Sequence, residues 1–364
     1  SPYAGGFHSE DQRAFLEQIK TVLDLALARL APPRQGTELL PFFMRERWRA
    51  MVATDALQMH YQPLVSLADG RVAEIEALAR LRDEDGELLA PARFLPALGA
   101  DDLLVLFRQG LGQATACRGS LLRAGHALDV SVNAPAAALE DPRYAEVAAA
   151  VIASSGCAAQ ALLFEILESP IGTEHAAVPQ GSGMQSLKAL GVRLVEDDLG
   201  AGYSSLIRLR QWPFDRIKID QAIVGQARQD PLGTLRFIRQ LIRIGHDLRL
   251  EVVVEGLESP ELIEAATILG ADFGQGYALA RPMPADALSA WLADYRWEQG
   301  SAWPQTGLGA LAGELRWEEQ FVALPPEPAF WARHAQISCD PGEYLHRPEL
   351  GSVLDASHQA MHKA

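Results

Sequence analysis

The chain has 364 residues, 48% of them hydrophobic and 22% charged, a composition typical of globular proteins. Its formal net charge of −15 argues against a DNA or RNA polymer as partner, and no apolar stretch reaches the roughly 18 residues of a membrane span. The start of the chain lacks the basic region of a signal peptide, and three cysteines are too few for a disulfide framework. We therefore expect a cytoplasmic protein without a membrane span.

The N-terminal part of the chain predicts a helix. Residues 9–30 begin with a capping pattern and then place apolar side chains at helical spacing. This stretch is similar to the last helix of a GAF-type sensor domain, and it is equally consistent with a helix packed on the next domain. We interpret residues 1–50 as a helical linker that an upstream sensor could precede in the full-length protein.

Eight short apolar runs follow, and most of them carry an acidic or polar residue at or near their end. Such runs are typical of parallel strands that are buried on both faces. They cover residues 57–65, 74–78, 129–133, 162–166, 192–195, 216–220, 251–256 and 271–276. Helical patterns between them cover residues 94–118, 144–154, 234–244 and 260–269, the last with Ser259 as N-cap and Pro260 at its first position.

Alternating strands and helices predict βαβ units, and eight strands in about 250 residues match a TIM-type (β/α)8 barrel. We expect this α/β barrel over residues 51–297, with helical segments on both sides. The connection at residues 67–71 is too short for a helix and contains Asp69-Gly70, a hairpin signal. One strand of the barrel is therefore expected to be antiparallel, and the polar strand ends should meet at one mouth.

Asp197 and Asp198 stand out among these polar residues. Adjacent carboxylates raise each other's pKa unless a cation lies between them, which suggests a divalent metal. Alone, the pair is also consistent with the start of a helix that Ser204 caps. The other strand ends favour the metal, because a mouth lined with several uncompensated carboxylates is costly without a cation.

The motifs resemble, in their order along the chain, the EAL-domain family of cyclic di-GMP phosphodiesterases. They are Tyr61-Gln62-Pro63, Glu76-Ala77-Leu78 with Arg80, Val132-Asn133, residues 164–169, residues 197–205, residues 217–220, residues 255–258, and Gln275-Gly276-Tyr277 with Arg281-Pro282. Eight motifs in one order are far more specific than any single motif. The resemblance implies an enzyme of bacterial second-messenger signalling that hydrolyses cyclic di-GMP to linear pGpG. The alternative is a catalytically silent receptor that relays cyclic di-GMP binding through its flanking helices.

The resemblance also implies a pair of metal ions, Mg²⁺ or Mn²⁺, since both prefer oxygen ligands. Glu76, Asn133, Glu165 and Asp197 would hold the first ion. Asp197 would bridge to the second ion, which Asp198 would also bind.

Further roles are implied for residues around the metals. Lys218 would orient or activate the hydrolytic water, and Glu255 would be either the general base or a ligand of the second metal. Glu168 would anchor the loop at residues 199–205, and Gln275 would be a supporting polar contact. Gln62 and Arg80 would bind the substrate, Arg80 through phosphate.

Four positions depart from the family pattern without removing an acid, a base or a ligand. Leu199 stands where the family usually has Phe, Ala201 and Leu167 where it has Thr, and Pro135 where a small hydroxyl residue is common. Because several of them lie in or beside the loop at residues 199–205, they keep the receptor alternative open.

Residues 298–364 form a C-terminal extension that we expect to be mostly helical and whose function the sequence does not indicate. His358 and His362 are spaced to share a helix face and could bind zinc with Cys339. Scattered surface histidines are the simpler explanation.

From the family resemblance, we expect a homodimer.

Overall fold

The computed structural model describes residues 42–167, 182–199, 206–297 and 304–322. The strands are β1 Leu57–Ser66, β2 Val72–Arg82, β3 Leu88–Leu89, β4 Asp129–Pro135, β5 Leu162–Leu167, β6 Arg193–Leu199, β7 Arg216–Ile219, β8 Glu251–Val254 and β9 Phe273–Gly274. The α-helices are α1 Phe42–Val52, α2 Pro91–Phe94, α3 Ala100–Arg123, α4 Pro142–Ser155, α5 Ser182–Ala189, α6 Leu206–Gln211, α7 Gln221–Val224, α8 Pro231–Asp247, α9 Pro260–Leu269, α10 Ala285–Asp294 and α11 Gly307–Val322.

Eight of the strands close into a barrel, as the sequence predicts. Their order around the barrel is β1, β2, β4, β5, β6, β7, β8, β9, and β9 pairs with β1 again. All neighbouring pairs are parallel except those that involve β1, which runs antiparallel to both β2 and β9. The short strand β3 lies outside the barrel and pairs with the end of β2.

The antiparallel strand is joined to β2 by the hairpin expected at Asp69-Gly70. Gly70 adopts a positive φ of 71°, and its N–H donates to the Ser66 carbonyl at 2.9 Å. A Cβ atom at Gly70 would overlap the ring of Trp297, so this position requires glycine for both conformation and space. The hairpin thus lies at the end of the barrel opposite the carboxyl ends of the parallel strands.

The helices between the strands begin and end at recognisable capping residues. Helix α9 has the predicted bounds, and the Ser259 hydroxyl accepts from the Leu262 N–H at 3.4 Å. Helices α4 and α8 start earlier than predicted, because Asp141 and Asp230 cap them through their side chains.

The prediction of one continuous helix over residues 94–118 was wrong. The chain instead forms α2, a 3₁₀ turn at Leu95–Ala97, and then α3. The Gly99 N–H donates to the Asp102 carboxylate at 2.8 Å, which caps α3 and separates it from the preceding turn. The apolar pattern of the two segments runs together, so periodicity alone does not reveal the break.

Helix α1 packs beside the barrel mouth on a small hydrophobic core of its own, which we call the α1 core. It is separate from the main core between the barrel and its helices. Its buried members are Trp48, Val52, Leu57, Leu81, Leu89, Phe94 and Ala97. The end of the β1–β2 ribbon and the start of the first crossover are thereby held together.

Helix α11 packs on α9 and α8, outside the ring of barrel helices. The buried Glu264 of α9 accepts from the Gln305 and Thr306 backbone N–H groups at 2.5 and 2.9 Å, and also from the Thr306 hydroxyl. A carboxylate at this position stabilises the N-terminus of α11. The division into domains at residues 50 and 297 remains a prediction, as do the helix at residues 9–30 and the zinc ligands, which lie outside the described residues.

None of the described helices combines the length and the apolar character needed to cross a membrane.

Candidate active site

Four carboxylates meet around one buried ammonium group at the mouth of the barrel. We call Lys218 and these four acids the Lys218 cluster. Lys218 Nζ lies 2.6 Å from Glu255, 2.8 Å from Glu165, 3.2 Å from Glu76 and 3.6 Å from Asp197. The parallel register contributes to this arrangement: Asn133 on β4 is aligned with Glu165 on β5, and Glu76 on β2 is aligned with Ser131, two residues before Asn133. The structure thus brings these predicted residues together at one mouth, and their roles remain predictions.

Burial makes the charges of this cluster strongly interdependent. The side chains of Lys218 and Glu165 are each 3% exposed. Burial alone would lower the pKa of Lys218, but Asp197 and the three glutamates hold it well above its usual value. The lysine is therefore a permanent cation at neutral pH.

The carboxylates divide into two kinds. Burial opposes ionisation of Glu76, yet Lys218 and neighbouring amide donors bring its pKa below the usual value. Burial raises the pKa of Glu165 well above its usual value, and the charge of Glu76 adds to this. Burial also raises the pKa of Glu255 to about 8, although Lys218 opposes the shift. Glu255 is thus a carboxyl group that can exchange a proton near neutral pH.

Two amide side chains orient Glu76. Asn133 Nδ2 donates to Glu76 Oε1 at 2.9 Å, and Gln275 Nε2 donates to Glu76 Oε2 at 2.8 Å. The buried Oε1 of Gln275 has no hydrogen-bond partner among the described residues. Gly276 allows this placement, because a Cβ atom there would overlap the Leu257 backbone.

A cavity of about 690 Å³ opens above the Lys218 cluster. Gln62 and Arg80, the predicted substrate contacts, both line it. Gln62 Nε2 donates to the Ala280 carbonyl at 3.0 Å, and Arg80 is half-buried on the wall formed by β2. One side of the cavity is apolar, with Leu95, Leu103, Leu106 and Phe107.

Tyr277 on the cavity lining and Arg281 beside it received no role from the sequence. The Tyr277 ring is 51% exposed and lies under the Arg281 guanidinium, whose carbon is 4.2 Å from the ring centroid. An exposed aromatic beside a cation at a cavity rim suits contact with a planar, anionic ligand. The signal in the sequence is the aromatic directly after Gln275-Gly276, beyond the last strand.

Two predicted site residues cannot be placed in the cluster. Asp198 lies in β6, but its side chain is outside the described part of the structure, as is the whole of Glu168. The helix cap predicted for Ser204 is likewise outside the described residues. Their roles remain predictions.

The chemistry of the donor set suits a divalent cation. Four carboxylates against one ammonium leave three negative charges uncompensated when all are ionised. The surrounding donors are carboxylate and amide oxygens, which Mg²⁺ and Mn²⁺ prefer, and Gln275 Oε1 is a buried acceptor without a partner among the described residues. In the described residues the acids face Lys218, and no three acidic, His or Cys side chains already form a metal cage. Metal binding would therefore require some carboxylates to turn away from the ammonium.

Comparison with known proteins identifies the family and supports the fold. The EAL domain family model matches residues 45–282. The cyclic di-GMP phosphodiesterase NbdA of Pseudomonas aeruginosa is 33% identical over 259 residues, which cover 70% of this chain and 32% of the relative. The cyclic di-GMP phosphodiesterase RocR of the same organism is 32% identical over 228 residues, which cover 62% of this chain and 57% of the relative.

A solved structure agrees with these matches. The c-di-GMP complex of the PaMucR phosphodiesterase has a TM-score of 0.61 and 29% identity, and the alignment covers 67% of this chain and 98% of that one. The fold is a TIM-type barrel, and a cavity lined by acidic residues opens at its mouth. The chain belongs to the EAL-domain family of cyclic di-GMP phosphodiesterases. It spans about a third of the length of NbdA and 57% of RocR.

Proposed function

We propose that this chain is a divalent-metal-dependent phosphodiesterase that hydrolyses cyclic di-GMP to linear pGpG. The observation that carries the proposal is the Lys218 cluster, in which four acids from separate strands surround one buried lysine at the base of a cavity. The names of the relatives NbdA and RocR support the substrate. A cavity of about 690 Å³ lies within the usual range for small-molecule sites, roughly 300–1,000 Å³.

Charge at the site suits a cyclic dinucleotide with two phosphodiesters. Arg80 supplies a cation on the wall, where its guanidinium can donate to phosphate oxygens. Gln62 also lines the cavity, and its amide nitrogen donates to the Ala280 carbonyl at 3.0 Å. The contact from Arg80 would fix one phosphodiester above the acids, with Gln62 on the same cavity lining.

The residues also fit the metals that such a reaction needs. Glu76, Asn133, Glu165 and Asp197 would hold the first ion, and Asp197 would share the second with Asp198. Bound divalent ions neutralise the phosphodiester, lower the pKa of water and keep attacking and leaving oxygens in line.

The chain's own groups then move the protons. Water adds its oxygen to phosphorus, the bond from phosphorus to the 3′ oxygen breaks, and the 3′ oxygen takes up a proton from solvent water to leave as a hydroxyl group. Glu255 would accept the proton of the water; the position of its buried carboxyl group at the site, 2.6 Å from Lys218, supports this role. Lys218 would orient the water and balance the negative charge on the phosphoryl oxygens. Glu168 would anchor the loop at residues 199–205.

The test is incubation of the purified chain with cyclic di-GMP and Mg²⁺ or Mn²⁺, with chromatographic detection of pGpG. We expect pGpG to form, EDTA to stop the reaction, and Glu255→Gln to lower kcat by about 10²–10⁴-fold, the size of a general-base contribution. Tight cyclic di-GMP binding without pGpG would replace this proposal by the silent receptor.

We also propose that the chain works as a homodimer in the cytoplasm, under the control of a sensor domain in the full-length protein. Light scattering coupled to gel filtration tests the dimer directly. A monomer at micromolar concentration would contradict it.

A further inference from the structure

The α1 core lies directly behind the apolar wall of the cavity. Its buried members include Trp48 and Val52 from α1 and Phe94 from the first crossover. The residues packed around it include Ala79, Leu95 and Leu106. These same three residues also line the cavity. Each of them therefore contacts helix α1's core on one side and the cavity on the other.

A polar contact fixes the same helix to the start of α3. Arg49 Nε donates to Asp102 Oδ2 at 2.7 Å, and this carboxylate also accepts from the Gly99 N–H at 2.8 Å. Asp102 thus caps α3 while it is held by α1. The first two turns of α3 carry Leu103 and Leu106, which line the cavity. The direction in which α3 leaves its cap determines where this wall lies.

We propose that Trp48 and Arg49 of α1 are positioning residues for the substrate, because together they set the location of the apolar cavity wall. This inference rests on the proposed function for the identity of the ligand. The wall is apolar, so its ligand surface is a base of the dinucleotide and not a phosphate. None of the five residues of the Lys218 cluster belongs to the α1 core.

The position of α1 should consequently affect substrate binding more than the chemical step. Interior packing is dense, so loss of a large side chain from the α1 core moves its neighbours. The neighbours that face the cavity are Ala79, Leu95 and Leu106. Arg49 is 43% exposed, and an exposed ion pair contributes little by itself, so its effect should be smaller than that of Trp48.

The experiment compares variants of the 364-residue chain with cyclic di-GMP at saturating Mg²⁺. The variants are Trp48→Ala, Trp48→Phe, Arg49→Ala and Arg49→Lys. Leu269→Ala is the matched control, because Leu269 is fully buried at the end of α9 and lies outside both the α1 core and the cavity. For each variant, KM, kcat and the Kd for cyclic di-GMP in EDTA are measured, and circular dichroism confirms folding.

Trp48→Ala should raise KM by about tenfold and change kcat by less than about twofold, which is the pattern of lost ground-state binding. Arg49→Ala should raise KM by about threefold, the upper range for an exposed ion pair. Trp48→Phe and Arg49→Lys should recover most of the affinity, and Leu269→Ala should leave KM unchanged.

Three outcomes would overturn the inference. One is an unchanged KM and Kd in Trp48→Ala and Arg49→Ala while the wild-type chain produces pGpG. Another is an equal rise of KM in Leu269→Ala, which would make the effect one of general stability. The third is a loss of kcat alone. If the wild-type chain binds cyclic di-GMP without producing pGpG, the proposed activity fails, and the Kd values still decide the role of α1.

Discussion

Replacement of Lys218 by methionine should destabilise the metal-free protein, and the loss should grow with pH. Methionine keeps the length of the side chain and removes its charge. In the wild-type chain the ammonium lies within 3.6 Å of four carboxylates and lowers the pKa of Glu76. Loss of one partner from a buried ion pair typically costs about 3–5 kcal/mol.

Protonation of the acids limits this cost. Without the ammonium, burial raises the pKa of Glu76 above its unfolded value, so the folded form takes up a proton. Holding a carboxyl of unfolded pKa 4.5 neutral costs about 1.4 kcal/mol per pH unit above that value. For one acid the destabilisation is then at most about 0.7 kcal/mol at pH 5 and about 5 kcal/mol at pH 8. The Lys218→Met variant should therefore keep most of its free energy of unfolding at pH 5 and lose it progressively as the pH rises to 8.

The assay is urea unfolding in EDTA at several pH values between 5 and 8, followed by circular dichroism. Lys188→Met is the matched control, because Lys188 pairs with Asp215 at 2.7 Å but both side chains are about one-third exposed. We expect a loss of no more than about 1 kcal/mol for this control at any pH. Excess Mg²⁺ should restore part of the stability of Lys218→Met, since a ligand that binds the folded state stabilises it. A loss for Lys218→Met that is small at pH 8, or equal at pH 5 and pH 8, would refute the charge balance described for the cluster.

Three further predictions concern the wall, the hairpin and the C-terminal helix. Arg80→Ala should raise KM for cyclic di-GMP by about tenfold or more through loss of a charge-assisted contact, and an unchanged KM in steady-state assays would remove Arg80 from the substrate site. Gly70→Ala should lower the free energy of unfolding by about 1–3 kcal/mol, because it combines a positive φ with overlap on Trp297, and a wild-type urea midpoint would contradict this. Glu264→Ala should expose α11 to limited proteolysis within residues 304–322 while the barrel persists, and protection equal to that of the wild-type chain would show that helix packing alone holds α11.

The barrel could be predicted from the sequence because each of its strands has a recognisable local sequence pattern. Each parallel strand is a short apolar run with turn or capping residues beside it, and the Asp69-Gly70 signal identifies the hairpin. The bounds of α9 followed from Ser259 and Pro260. The break before α3 could not be predicted, because it depends on the side chain of Asp102 turning back to the Gly99 N–H.

The meeting of the site acids at one mouth could be predicted from the sequence, but their individual contacts could not. Glu76 and Lys218 are 142 residues apart in the chain, and no local pattern shows that their side chains touch at 3.2 Å. The same holds at the other end of the barrel. There the buried Arg216 donates to Glu74 at 2.5 Å and to Glu251 at 2.8 Å, an ion-pair network that sequence reasoning missed. Such pairs become visible only when the strands are in register.

The reversed first strand changes which end of the barrel receives the incoming chain. In an all-parallel barrel the polypeptide enters at the face opposite the ligand, and a preceding segment is separated from the chemistry by the length of the strands. Here β1 begins at the mouth of the barrel and runs toward the opposite end, since its first residue, Leu57, is paired with Leu81 near the carboxyl end of β2. Helix α1, which precedes β1, therefore lies at the rim of the cavity. A displacement of the chain before β1 would thus act on the cavity rim through the short helix α1, and it would not have to be transmitted along the barrel strands.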